Sequence, residues 1–167
     1  MKIRHILALT YWSFDEALIQ TYTLPYLRII QANLGVGSKI FLLTLEKKHL
    51  TDEIREQRSR LREELLATGI CWIAINYYPY GLRAILKWVQ VIASLYFLIL
   101  RQNISTIHCW ATPAGSAGYI LSLLTGRRLI IDSYEPHAEA MIENGTWQVS
   151  SFAFKLLLTR YETCGPA

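Results

Sequence analysis

The sequence predicts an α/β domain built on a doubly wound, mainly parallel sheet. Three observations carry that prediction. Short apolar runs alternate with longer helical stretches along the chain. The runs lack the polar alternation of half-exposed strands, as expected for strands covered on both faces. Each stretch between runs is long enough for a crossover helix, and serial strand–helix units join parallel strands by right-handed crossovers. The 167 residues have room for one such domain, and with 52% apolar and 18% charged residues the composition excludes intrinsic disorder.

The elements follow in order. Lys2 and Arg4 precede an apolar run, Ile6 to Leu9, that is too short for a secretory signal and reads as the core of a first strand, Ile3 to Tyr11. A helix over Ile19 to Leu34 sets Tyr22, Tyr26, Ile29, Ile30 and Leu34 near one face and ends at Gly35 and Gly37. Lys39 to Leu45 is the second strand. Thr51 to Thr68 is a charged helix that starts on a cap-like Thr51, carries a narrow stripe of Ile54, Leu61 and Leu65, and stops at Gly69. Cys71 to Asn76 is the third strand. Leu82 to Leu100 is an almost wholly apolar helix, read as a buried crossover, with a helix lying in a membrane interface as the next reading and a true span last. Thr106 to Trp110 is the fourth strand. Pro113 to Thr125 is a helix with proline in its first turn and Gly126 after its last, and Arg128 to Asp132 is the fifth strand. Five strands in this order make the sheet Rossmann-like.

Charge is unevenly spread. The net charge is +4, yet no Asp or Glu occurs from Leu65 to Ile131, where Arg83, Lys87, Arg101, Arg127 and Arg128 stand. Asp132, Glu135, Glu139 and Glu143 follow with no Lys or Arg among them. A basic block rich in aromatics suits an anionic membrane surface better than nucleic acid, and it equally suits plain helix solubilisation. The thirteen residues from Trp88 to Leu100 carry no charge, against the roughly twenty that a membrane span needs. Residues 147–167 hold a second apolar, basic stretch, with Phe152, Phe154, Lys155 and Arg160. It reads as an amphipathic helix following a domain of residues 1–146. The three cysteines, Cys71, Cys109 and Cys164, are odd in number and far apart. They predict no disulfide framework and point to a reducing, cytoplasmic setting.

Several chemistries lack their motif. The loop after the first strand reads Trp12-Ser13-Phe14-Asp15-Glu16-Ala17. Without glycine it offers no close backbone approach to a dinucleotide pyrophosphate. No phosphate loop ending in Lys-Ser/Thr and no Gly-x-Ser-x-Gly elbow occurs. The four histidines show no metal-ligand spacing, so no metal site is expected. In doubly wound sheets ligands bind beyond the carboxyl ends of the strands, which selects three loops: Trp12 to Ile19, Ala111 to Gly115 and Ser133 to His137.

The last of these is the richest. Asp132-Ser133-Tyr134-Glu135-Pro136-His137 brings two carboxylates, a phenol and an imidazole within six residues. Such a set can bind sugar hydroxyls or exchange a proton, and Asp132 and Glu135 can equally do no more than cap a helix. The run Ala111-Thr112-Pro113-Ala114-Gly115 can present free amides to a phosphate or sugar oxygen. Its small residues can also serve only to pack the helix on the sheet.

At these residues the chain resembles the N-terminal half of a GT-B glycosyltransferase of the family-4 type. The likeness rests on Ile6 to Trp12 with Ala17-Leu18-Ile19-Gln20 and Leu24-Pro25-Tyr26-Leu27, and on Ile40 to Glu46. It also rests on Ile107-His108-Cys109-Trp110, and on Leu129 to Asp132 with Glu135-Pro136-His137 and Glu143-Asn144-Gly145-Thr146-Trp147. It implies transfer of a sugar from a nucleotide-sugar, with retention and without a metal or other cofactor, to a glycan or lipid-linked acceptor, as in polysaccharide biosynthesis. Carried over, His137, Asp132 and Glu135 would be the catalytic groups. Ser13, Phe14, Asp15, Gln20, Tyr134, Thr112 and Gly115 would bind substrate. Many members have a Gly-Gly pair in the first loop where Ser13-Phe14 stands here. The nucleotide pocket belongs to the family's second domain, so the resemblance implies a chain truncated before that domain and inactive alone. It would work with a second glycosyltransferase subunit or domain and lie on the inner membrane face. Two other readings stand beside it: a non-catalytic module docking to a partner chain or a membrane surface, and an unrelated small enzyme using Asp132 and His137.

Overall fold

A computed structural model of the chain describes residues 3–47, 52–77 and 81–132. Its strands are β1 (His5–Leu9), β2 (Ile40–Glu46), β3 (Ile70–Asn76), β4 (Ile104–Trp110) and β5 (Arg128–Asp132). Its helices are α1 (Leu24–Asn33), α2 (Asp52–Ala67), α3 (Leu82–Arg101) and α4 (Thr112–Thr125). The sheet order is β3-β2-β1-β4-β5 and every neighbouring pair is parallel. This is the Rossmann-like arrangement, with the strand order reversing between β1 and β4.

Alternation along the strands divides the core in two. Leu7, Leu9, Phe41, Leu43, Ile107 and Cys109 point to the side covered by α3 and α4. Ala8, Ile40, Leu42, Ile70, Trp72 and Trp110 point to the side covered by α1 and α2. The central strands therefore bury both faces and have to be apolar throughout. β2 is buried at every position, and its one charged residue, Glu46, stands at its carboxyl end.

Two expectations change. The first helix opens with a π-helical turn, Ile19–Thr23, in which the Leu24 N–H donates to the Ile19 carbonyl. The wider turn rotates the following residues. Leu24 and Leu27 face the core, Ile29 is exposed, and Tyr22 and Tyr26 point to an open groove. The second concerns α3, which buries only Ala84, Leu95 and Ile99 fully and leaves Leu82, Leu86, Val89 and Phe97 exposed. It is the crossover that the sequence predicts, but it is buried along one stripe only.

Helix α4 needs its glycines for contact. A Cβ on Gly118 would run into Cys109 Sγ and come within 3.0 Å of Leu129. Gly126 ends the helix at φ +65°, and its N–H donates to the Ser122 carbonyl at 2.8 Å. Left-handed backbone there costs glycine least.

Candidate functional site at the carboxyl edge of the sheet

The reversal of strand order leaves a crevice at the carboxyl ends of β1 and β4, where such folds bind ligands. The loop after β1 is held from below. Glu46 is 2% exposed. Its Oε1 accepts from the Phe14 N–H at 3.1 Å and from the Thr44 hydroxyl at 2.6 Å, and its Oε2 pairs with Arg58. Trp72 donates to Thr44 at 2.8 Å, and the guanidiniums of Arg58 and Arg62 lie over its ring. A buried carboxylate is tolerated when its charge and lone pairs are matched in this way.

The predicted residues of that loop take different places. Ser13 is buried, donates to the Leu45 carbonyl at 2.9 Å and accepts from the Lys47 N–H at 3.1 Å. Phe14 is buried with its ring 4.4 Å from that of Trp72. Gln20 donates to the Phe14 carbonyl at 2.6 Å. Ser13 and Phe14 shape the loop from within; Gln20 braces it by that bond and is exposed, as is Asp15.

On the β4 side, Ala111 adopts φ +68° with ψ +161°, a conformation rare for a residue with a Cβ. Its N–H donates to the Asp132 carbonyl at 3.1 Å and its carbonyl accepts from Gly115 at 2.9 Å. The turn is thus bound to both β5 and α4, and such over-determined backbone clusters at functional sites. Thr112 is half-buried at the start of α4. Gly115 is buried, and a Cβ on it would sit 3.2 Å from Ile131, so its smallness serves packing.

Asp132 joins the two sides. The Tyr22 hydroxyl donates to its Oδ2 at 3.0 Å, which ties β5 to the first helix. Tyr22 and Tyr26 stack at 6.2 Å, and Tyr26 meets His108 and Trp110 edge-on. His108 stacks on Trp110 at 4.0 Å. Burial pushes the His108 imidazole below its ordinary range, and the nearby Asp132 charge partly restores it. The Trp110 indole N–H is buried and has no hydrogen-bond partner among the described residues. Tyr22, Tyr26 and His108 line a groove along β4, with Asp132 at its carboxyl end and Trp110 buried behind His108. An aromatic wall beside a carboxylate and phenols suits a sugar, whose C–H face stacks on rings while its hydroxyls bond to oxygen acceptors.

Tyr22, Tyr26, His108 and Trp110 were not singled out as site residues by the sequence. Their signal was spacing: four apart on a helix, and two apart on a strand. Tyr134, Glu135 and His137, and the division at residues 146 and 147, lie outside the described residues. No group of three metal-ligating side chains occurs among the described residues.

No protein-family model matches the chain, and no curated protein does. Among solved structures it is similar to a glycosyltransferase from Rickettsia africae ESF-5, with a TM-score of 0.51 at 13% identity. The match covers 78% of this chain and 30% of that protein, so the chain spans under a third of its neighbour's length. The likeness is one of fold: a glycosyltransferase carries a similar arrangement of strands and helices.

Proposed function

We propose that this chain is the acceptor-side half of a GT-B, family-4-like retaining glycosyltransferase. In that reading it works with a second Rossmann-like unit that binds the nucleotide-sugar. The observation that carries the reading is the meeting of Asp132, Tyr22 and the Ala111 turn at the β1/β4 switch point, in a fold shared with a glycosyltransferase. Fold alone does not assign chemistry, so the weight rests on the carboxylate at the crevice and the aromatic wall behind it. In this reading the groove at Tyr22, Tyr26 and Asp132 receives a saccharide or lipid-linked acceptor. Asp132 orients the acceptor hydroxyl, and His137 and Glu135 complete the set on the strength of the family resemblance. The loop that Glu46 holds faces the donor diphosphate.

The test pairs the full chain with a donor-binding half and measures transfer of labelled sugar from UDP- and GDP-sugars. Asp132→Asn and His137→Ala should each lower transfer about tenfold or more, as for lost transition-state contacts. Unchanged rates would remove those residues from the site. Absence of transfer with every donor half, together with absence of saccharide binding, would favour the non-catalytic module.

A further inference from the structure

The groove along β4 runs well past Tyr22 and Asp132. Its floor is set by the pleat. Thr106, His108 and Trp110 alternate to one face of β4, and the register with β5 sets them beside Arg128, Ile130 and Asp132. Arg4, just before β1, lines the amino end. A carboxylate therefore stands at one end and two guanidiniums at the other. Arg128 and Asp132 are four strand positions apart, about 13 Å at the rise of a β-strand. The cavity measures about 610 Å³, within the range of small-molecule sites.

The polar groups between the two ends are unsatisfied. His108 is 7% exposed, borders the groove and makes no hydrogen bond among the described residues. The hydroxyls of Thr106 and Tyr26 border it too and likewise bond to none of them. A buried polar side chain in a native fold has a partner as a rule. An imidazole that burial keeps neutral has one donor and one acceptor to place. The groove opens on all three groups, so what fills it has to offer atoms that both donate and accept, spaced along a strand. The hydroxyls of linked sugars do so, and the C–H faces of their rings suit Tyr26 and the isoleucines Ile6 and Ile130 beside it.

Charge at the ends sets the class of ligand and its direction. Arg4 and Arg128 are exposed, and among the described residues neither forms an ion pair. Asp132 is the one acid bordering the groove among the described residues. Guanidiniums take carboxylates through paired hydrogen bonds. Asp132 repels an anion at its own end, so a ligand charged at one end fits the groove in one direction only.

We propose that the groove binds an acidic oligosaccharide laid along β4, with a hydroxyl of its neutral end at Asp132 and a carboxylate at Arg4 and Arg128. The inference rests on the sugar-transfer reading and narrows its acceptor to a chain that carries a uronate. The test is isothermal titration calorimetry of the full chain with a trisaccharide of two glucose units and one terminal glucuronate. Its methyl ester, which removes the charge and keeps the sugars, is titrated beside it. The acid should bind about tenfold tighter than the ester at low salt, and salt should narrow the gap. Arg4→Gln with Arg128→Gln should abolish the gap and leave the ester's affinity as it was. Tyr26→Phe, at an exposed position, should weaken both forms severalfold, and the His108 ring resonances should shift with both. Equal binding of acid and ester, both weakened by Tyr26→Phe, would leave a saccharide groove without charge selection and overturn this inference alone. Absence of binding by either form overturns it together with the groove's role as the acceptor site. Acid binding that survives the arginine changes, or that leaves the His108 ring unmoved, overturns it as attraction to cations elsewhere.

Discussion

Neutralising Glu46 should unfasten the loop after β1. In Glu46→Gln the side-chain oxygen can still accept from Phe14 and Thr44. The new NH2 group, however, meets the Arg58 guanidinium, so a donor faces a donor. Removing one partner from a buried pair costs about 3–5 kcal/mol. Glu46's side chain is 1% exposed and Arg58's 11%, so Arg58 retains a route to solvent. The expected loss is therefore at or just below that range's lower bound, about 2–3 kcal/mol, or a drop of roughly 4–12 °C in Tm for a domain of this size. Urea unfolding followed by far-ultraviolet circular dichroism and tryptophan fluorescence measures it. Arg58→Met keeps an apolar stem over Trp72. The double variant should be less destabilised than the sum of the singles by about 1–3 kcal/mol. Single losses below about 0.5 kcal/mol with an additive double variant would refute the reasoning, because they would mean that the carboxylate does not organise the loop.

Two further outcomes follow from the packing and the electrostatics. Gly118→Ala should cost about 1–3 kcal/mol by overpacking against Cys109 and Leu129, and Cys109→Ala in the same chain should recover part of the loss; denaturant midpoints of the two variants check this. His108 should titrate below the usual 6.5 because burial disfavours its charged form. The unfolded chain then binds the proton more readily, so stability is full above 6.5 and falls as pH drops toward the depressed folded value. Asp132→Asn should depress that value further, because the nearby carboxylate charge raises it; NMR titration of the His108 ring checks both, and a pKa at or above 6.5 would contradict the burial argument.

Strand positions were legible because a strand covered on both faces has to be apolar along its whole length. Each of the five predicted runs falls on an observed strand, with ends displaced by only a few residues, as for β4, which begins at Ile104 instead of Thr106. Pro113 and Gly126 marked the ends of α4 because each has a fixed backbone preference. The double apolar character of α3 was present in its sequence but misleading. Composition counts leucines without saying which ridge meets the sheet, so an exposed ridge reads as a buried one. The π-helical turn left no signal, since no residue type demands it, and Ile29, which the sequence sets near one face with Tyr26, points to solvent. Asp132 was legible as a carboxylate at a strand end. Its partner Tyr22 was not, because a contact 110 residues apart depends on topology.

The π-helical turn also gives the first crossover a spare residue. Deleting one residue from a regular α-helix swings every later side chain through about 100° and ruins its buried face. Between Ile19 and Thr23 the same loss would tighten the wide turn into a normal one, and Leu24 and Leu27 would still meet the sheet. Length changes in homologous chains should gather at this turn, which lets the rim beside Trp12 and Asp15 vary while Tyr26, on the regular helix beyond it, keeps its register.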